Sequence, residues 1–420
     1  MNNHADPSYR AAEQAARNGY GKLVAILAAH DQDIAAAEDA LGEALVAALN
    51  AWPVQGVPQS PEAWLVTVAR NRLKNAARSR AVRLLAEPEL MRRAMPDPET
   101  SDFPDRRLQL MLACAHPAID AAARAPLILQ VILGIDAARI ARAFLTEPSA
   151  MSQRLVRAKA RIRDVGLRYE LPGPEDMPER LAAVLDAIYA AFGDGYDRLE
   201  MPGAHGALTG EAIWLARLIV EMLPDEPEAK GLLALMLYCA ARRAARRDQE
   251  GRFVPLAEQN PKLWDRTMVI EAEGLLIAAA RAGRFGRYQC EAAIQSVHVQ
   301  RAATGQLNLQ ALRTLYDLLV TRTDSIGARI GRAVVMADAG DPDAALADLE
   351  AIDRQRIAAH QPWWVARAHC ARLAGRGPQA AGFLRQAIAL TDDDAIRAYL
   401  AGSLDEAGPD TPDMRGPVTG

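Results

Sequence analysis

Between Ile135 and Val165 the chain reads IDAARIARAFLTEPSAMSQRLVRAKARIRDV, a stretch that divides into two helical halves. Ile140, Ala141 and Phe144 form an apolar stripe on a short first helix, with Asp136 as its N-cap. Thr146-Glu147-Pro148 breaks that helix, because proline has no N–H to continue the ladder. Ser149 offers a second N-cap, for a helix running towards Val165. Met151, Leu155, Ala158 and Ile162 recur there at three- and four-residue steps and face a core. Gln153, Arg154, Arg157, Lys159, Arg161 and Arg163 are left for solvent or a ligand. Two short helices, a tight turn and a basic second helix with small polar residues at its start describe a helix-turn-helix. Its second helix would enter a DNA major groove N-terminus first.

Charge separates this reading from an ordinary solvated helix face. Residues 136–170 hold eight basic and four acidic side chains, a local net charge of +4 in a chain whose total is −4. A concentrated basic face on a weakly acidic protein is the electrostatic footprint that phosphate binding requires. A second island lies upstream, in PEAWLVTVARNRLKNAARSRAVR (61–83), with six basic residues against one acid. Two basic helices on one chain point to two contacts with one nucleic acid.

A chain of 420 residues is too long for one ordinary core, so two to four domains are expected. Half of the residues are apolar but only 5% aromatic, and strand-like alternation is nearly absent, which favours an all-α fold. The start, MNNHADPSYR, lacks a signal-peptide pattern, and the longest apolar run, Gly231 to Ala241, is about half of what a membrane span needs. A cytoplasmic protein without membrane contact is expected. Cys114, Cys239, Cys290 and Cys370 lie far apart with no paired spacing, which argues for buried reduced thiols and against a metal site or disulfide framework.

Taken in order, residues 8–52 read as two long helices. The first turns Leu23, Val24 and Leu27 inward. The second, capped within Asp31–Asp33, carries Ile34, Ala37, Leu41, Leu45 and Ala48 on one face and Asp33, Glu38, Asp39 and Glu43 on the other. Pro53 to Ser60 reads as a loop. Ser60 then caps a third helix with Pro61 at its first position. Trp64, Leu65, Val68 and Leu73 face inward, while Arg70, Lys74 and Arg78 stack at four-residue intervals beside Asn71 and Asn75. Residues 84–104, with four prolines and no periodicity, read as a flexible linker, and a compact helical unit follows from Asp105 into the helix-turn-helix. Within it Cys114 and His116 are packing and capping residues rather than ligands. After Pro174 the surface turns acidic and Ala/Leu-rich helices continue to about Leu404. Gly340-Asp341-Pro342 and Gly377-Pro378 open similar helices thirty-six residues apart, close to the ~34-residue tetratricopeptide period. The tail after Gly408 is expected to be disordered.

Together these pieces resemble the extracytoplasmic-function sigma factors of bacterial RNA polymerase, in the branch with a large C-terminal tetratricopeptide-like extension. The marks are AEDALGEAL (37–45), PEAWLVTVARNRL (61–73), LACAHPAI (112–119), QRLVRAKARIRD (153–164) and EAIWLARLIVEMLPDEPEAKGLLALMLY (211–238), so the resemblance spans nearly the whole chain. It implies a sigma-2 domain over 8–83, the linker 84–104, a helix-turn-helix sigma-4 domain over 105–170, a tetratricopeptide-like helical extension over 175–405 and the tail 408–420. Glu38, Asp39 and Glu43 would dock on the coiled coil of the polymerase β′ subunit, and the β flap would be a second contact. Arg70, Asn71, Lys74, Asn75 and Arg78 would engage the minus-ten promoter element. Ser149, Ala150, Gln153 and Arg154 would reach base edges of the minus-thirty-five element, with Arg157, Lys159 and Arg161 on phosphates. The extension would regulate the protein by contacting the sigma domains or the polymerase. Three positions depart from the pattern: Asn75 stands where many relatives carry an acid, Cys114 is followed by Ala115 where a second cysteine is common, and Gly331 replaces a usual asparagine. The first could shift minus-ten preference.

Such a protein needs no catalytic residue and no cofactor, and none is legible: there is no phosphate-cradling glycine loop, no metal-spaced cluster and no nucleophile triad. Two other readings stay open. A repeat-based interaction scaffold would have no affinity for core polymerase, and a dimeric helix-turn-helix regulator would require a symmetric operator.

Overall fold

The computed structural model describes residues 7–31, 33–83, 106–144, 146–166, 172–173, 175–197 and 204–406. The expected linker, 84–104, and the expected tail, 408–420, lie outside the described residues. Among the described residues every regular element is a helix, and the only β pairing is an isolated bridge between Arg247 and Phe253. The fold is all-α. It divides into two compact units, Met1–Leu215 and Ala216–Gly420.

In the first unit, α1 (Pro7–Asp31), α2 (Ile34–Gln55) and α3 (Pro61–Arg83) pack against one another as a three-helix bundle. Leu23, Val24, Leu27, Ile34, Leu41, Trp52 and Leu65 are buried at its centre. Alanines 37, 44, 48 and 69 let the helices approach. Asp33 caps α2, its Oδ1 accepting the Ala36 N–H at 3.0 Å. The helix does not stop at Pro53 as the sequence predicts. Pro53 sits inside the last turn, and α2 ends at Gly56, whose φ of 84° is left-handed and whose N–H donates to the Trp52 carbonyl. A proline without a following break bends a last turn more cheaply than it ends a helix, and the glycine three residues on supplies the actual stop.

Helices α4 (Arg107–Cys114), α5 (Ala121–Leu133), α6 (Ala137–Ala143) and α7 (Pro148–Val165) follow. Cys114 is buried at the end of α4, and in the turn that follows the His116 Nδ1 accepts the Ala118 N–H at 3.0 Å. Asp120 caps α5 through Ala122, and Gly134 at φ 63° closes it. Helix α8 (Met177–Asp197) packs on α4 and α5. Buried Arg124 ties them: its Nη1 donates to Glu179 of α8, while Nε and Nη2 donate to the Ile119 and Pro117 carbonyls at 3.0 and 3.2 Å. Arg107 likewise pairs with Glu211 of α9 (Ala204–Met222) and lies 4.1 Å over the Trp214 ring. The opening helix of the expected extension therefore shares a compact unit with the helices before it.

In the second unit, α10 (Pro227–Ala241) holds the longest apolar run and is buried nearly all round, against α11 (Arg266–Ala280) and α12 (Arg287–Thr304). A helix apolar on every face must be enclosed, and this one is. Gly231 lets α12 approach closely: a Cβ there would lie 2.6 Å from the Gln289 backbone nitrogen. Glu228 caps α12, accepting the Tyr288 and Gln289 N–H groups at 2.9 and 3.2 Å. Beyond lie α13 (Leu309–Arg322), α14 (Ile326–Asp338), α15 (Pro342–Glu350), α16 (Arg354–Ile357), α17 (Gln361–Leu373), α18 (Gly377–Ala389) and α19 (Asp394–Glu406). Ala345 and Ala380, from the two similar helix openings, join one apolar cluster with Leu349, Ile352 and Trp363. Gly331 has a local reason, since a Cβ there would meet the Tyr316 ring at 2.4 Å.

Burial of His298 on α12, with Arg242 and Arg301 nearby, lowers its pKa from 6.5 to about 4. A histidine held neutral favours the folded state above its unfolded pKa, and that contribution is lost as pH falls from about 6.5 towards 4. The loss is on the order of 3 kcal/mol when complete. His298→Gln is expected to flatten the decline in urea-unfolding stability between pH 6.5 and 4 relative to the unmodified protein. Parallel pH profiles for the two proteins would show that His298 is not the group responsible.

Candidate functional site

Three helices of the first unit carry the residues singled out by sequence. The turn into α7 follows the expected chemistry in part. Asp136 caps α6, accepting the Arg139 N–H at 2.9 Å, and Ile140 and Ala141 are buried. Ser149 is not the N-cap of α7. The helix begins at Pro148 with Glu147 in the cap position, so Ser149 sits inside the first turn. Proline at the first helical position needs no N–H partner, which moves the start back by two residues. Met151, Leu155, Ala158 and Ile162 are buried, as their spacing predicts.

Ser149, Ala150, Gln153, Arg157 and Arg161 are exposed along one side of α7. Arg154, on the same side, is half-buried and its Nη1 reaches the Ala122 carbonyl at 3.4 Å. Arg157 and Arg161 reach the carbonyls of Gln153 and Ala118 at 3.3 and 3.4 Å, which holds their guanidinium groups close to the surface. Lys159 is not brought together with them. At 3.6 residues per turn it projects from roughly the opposite side. There its Nζ pairs with the Glu38 Oε2 at 2.7 Å.

On α3, Leu65, Val66, Ala69 and Leu73 are buried, whereas Trp64 and Val68 are half-buried at the bundle edge. Asn71, Lys74 and Asn75 are exposed and Arg70 is half-buried, all on the side away from the core. Arg78 lies on the same helix, and its side chain is outside the described residues.

On α2, Asp39 and Glu43 are exposed and Glu38 is largely covered. The Glu38 carboxylate is held at both oxygens: Oε1 accepts the Tyr20 hydroxyl at 3.2 Å and Oε2 the Lys159 ammonium. Burial, reinforced by Glu38, pushes the Tyr20 phenol far above its ordinary range, so it remains a donor. Asp39, Glu43, Val46, Asn50 and Arg72 line a shallow open trough, with Arg72 3.3 Å from Glu43. Val46, Leu49, Val54 and Val57 are exposed nearby. The sequence reading missed this apolar component. Its signal is present, because Val46 and Leu49 are apolar residues left over after the buried stripe of α2 has been assigned.

Among the described residues no group of three or more His, Cys, Asp or Glu side chains could hold a metal ion, and no helix is long and apolar enough to cross a membrane.

The bundle α1–α3 coincides with a family match: residues 17–83 match sigma-70 region 2. That match supports a sigma-factor role in transcription initiation and implies binding to core RNA polymerase and promoter DNA. Residues 180–280 match a family of unknown function, DUF6596. The chain belongs to the same family as an uncharacterized protein of Rhizobium meliloti (strain 1021), with which it is 35% identical over 378 residues, covering 88% of this chain and 89% of that protein. No solved structure matches the chain significantly.

Proposed function

We propose that the protein is an alternative sigma factor of the extracytoplasmic-function type that directs core RNA polymerase to particular promoters. The observation carrying this is the coincidence of the sigma-70 region 2 match with the α1–α3 bundle. In this reading the exposed side of α3, with Asn71, Lys74 and Asn75 beside Arg70 and Arg78, meets the minus-ten element. The helix-turn-helix formed by α6 and α7 reads the minus-thirty-five element through Ser149, Ala150, Gln153 and Arg154, while Arg157 and Arg161 serve phosphates; Lys159, turned to Glu38, is left out of that contact. Glu38, Asp39 and Glu43 on α2 meet the β′ coiled coil, and the trough they share with Val46 gives that contact an apolar component. The helix pairs α14–α15 and α17–α18, with alanines in their shared apolar cluster, support a tetratricopeptide-like extension, to which this reading gives a regulatory role.

Reconstitution tests the reading. The purified chain with bacterial core polymerase is expected to co-elute and to give a discrete run-off transcript from DNA upstream of its own operon. A folded chain that leaves core polymerase unbound would move the assignment to a protein-interaction scaffold. The role of the extension is tested by ending the chain after Met222, the end of α9, because an earlier cut would split α9 or strip α8 from α5. Unchanged promoter output from that truncation, in cells and in vitro, would remove the regulatory role.

Arg154→Ala is expected to weaken minus-thirty-five recognition by about 1–3 kcal/mol and to relax the base preference at one position. Transcription from a panel of single-base promoter variants measures this. A uniform loss across the panel would assign Arg154 to phosphate contact instead.

A further inference from the structure

Two neighbouring helices of the second unit are strongly apolar, and only one of them is enclosed. Helix α10 is buried against α11 and α12, as a helix of that composition must be. Between Met268 and Ala280 the only polar side chains of α11 are Glu271 and Glu273, yet Ala272 and Ala279 are its only buried residues. Ile270 and Ile277 stand 58% and 57% exposed on its outer side, two turns and roughly 10 Å apart. Leu263, in the short turn before the helix, is 52% exposed. Single exposed apolar side chains are ordinary, but a row of them along one helix marks a surface that something covers.

Gly274 lies between the two isoleucines on the same side, and nothing stands within 4 Å of where its Cβ would be. Glycine weakens a helix interior relative to alanine, and no neighbour among the described residues requires one here. It leaves a low point in the row where another backbone can come close. Charge frames the row. Lys262 and Arg266 are exposed at one end and Arg281 at the other, with roughly 22 Å between the two arginines. No ion pair or side-chain hydrogen bond holds these three cations among the described residues. The nearby acids are engaged or set aside. Asp265 caps α11, accepting the Thr267 and Met268 N–H groups at 2.9 and 3.1 Å, Glu271 pairs with Arg217, and Glu273 is half-buried at the edge of the row.

We propose that the outer side of α11 docks an acidic amphipathic helix of a partner protein, with the apolar stripe of that helix on Ile270, Gly274 and Ile277 and its acids reaching Lys262, Arg266 and Arg281. A second copy of this chain fits the same surface badly. Two α11 helices crossing antiparallel with Ile270 against Ile277 also bring Arg266 against Arg281, and a parallel crossing sets each arginine against its own copy. Like charges in contact oppose both arrangements. A phosphate backbone would meet isoleucines at the centre of the row, where it needs cations. The row falls at the end of the segment that matches the family of unknown function, so the proposal gives that segment a class of partner. It goes beyond the sigma-factor reading and does not depend on it, since neither polymerase nor promoter enters the argument.

Fluorescence anisotropy on the full-length chain, with neither polymerase nor DNA present, tests this. The probe is a labelled synthetic helix of about 18 residues, long enough for the row, with leucine at three- and four-residue steps on one side and glutamate along its borders. The same peptide with lysine for glutamate is the control. The acidic peptide is expected to bind saturably, more weakly as salt rises, and about ten-fold or more tighter than the lysine peptide. Ile270→Ser with Ile277→Ser should weaken the acidic peptide by about ten-fold or more. Both side chains are more than half exposed, so the circular dichroism of that variant should stay unchanged. Lys262→Glu with Arg266→Glu and Arg281→Glu should reverse the preference between the two peptides, which a merely destabilised chain would not do. Absence of binding, equal binding of the two peptides, or binding unchanged by both sets of substitutions would overturn the proposal. So would a concentration-dependent mass in sedimentation that Ile270→Ser with Ile277→Ser abolishes, which would assign the surface to a second copy. Capture by phosphatidylglycerol vesicles without peptide binding would overturn it too, in favour of a membrane surface.

Discussion

Reversing two charges on α2, Asp39→Lys with Glu43→Lys, is expected to reduce affinity for core RNA polymerase by about ten- to a hundred-fold while leaving the fold intact. Both side chains are exposed, so the substitution leaves no buried charge unpaired. The pair that is broken, Arg72 with Glu43, has both side chains more than half exposed, and a surface pair of that kind contributes little to stability. An effect on binding would therefore report the surface itself. Salt dependence sharpens the test. Complementary charge acts mainly on the association rate, so the deficit of the double variant should shrink as ionic strength rises. Val46→Asp, placed in the middle of the same trough, should weaken binding at high salt as well, because it removes apolar contact. Polymerase binding indifferent to all three changes would place the docking surface elsewhere on the bundle.

Periodicity and capping make the helical elements legible. The stripes Leu23–Leu27, Ile34–Ala48 and Met151–Ile162 face cores as their spacing requires, and Asp33 and Asp136 cap the helices they precede. The departures are local. The pattern puts a stop at Pro53 and a cap at Ser149, whereas Gly56 ends α2 and Pro148 begins α7. In both places two residues compete for one boundary, and a one-dimensional pattern does not weigh them. The pairing of Lys159 with Glu38 has no sequence signal, because it joins positions more than a hundred residues apart through the packing of α2 on α7. Likewise, nothing in the spacing of Gly231 distinguishes a close helix crossing from an ordinary helical glycine. Glycine at a crossing is explained only by the backbone that lies opposite it.

The largest expected effect on stability is at Trp363, in α17. Its side chain is 1% exposed, lies in the apolar cluster shared by α14, α15 and α17, and donates from Nε1 to the Leu349 carbonyl at 3.0 Å. The Arg367 guanidinium stacks 4.6 Å from the Trp363 ring and pairs with Glu350 at 2.9 Å, so the indole also supports a mostly buried charge. Trp363→Ala is expected to destabilise the second unit by about 3–5 kcal/mol, through lost burial and the cavity left behind. That is a large part of the roughly 5–15 kcal/mol that holds a typical domain together. Trp363→Phe keeps most of the apolar area but leaves the Leu349 carbonyl without its donor, and should cost about 1–3 kcal/mol. Urea unfolding monitored by far-UV circular dichroism on the full-length chain measures both. The first unit has its own core, so its unfolding should hold its midpoint while the transition of the second moves. A loss below about 1 kcal/mol for Trp363→Ala would mean that neighbouring helices collapse into the space. Loss of both transitions together would mean that the two units unfold as one.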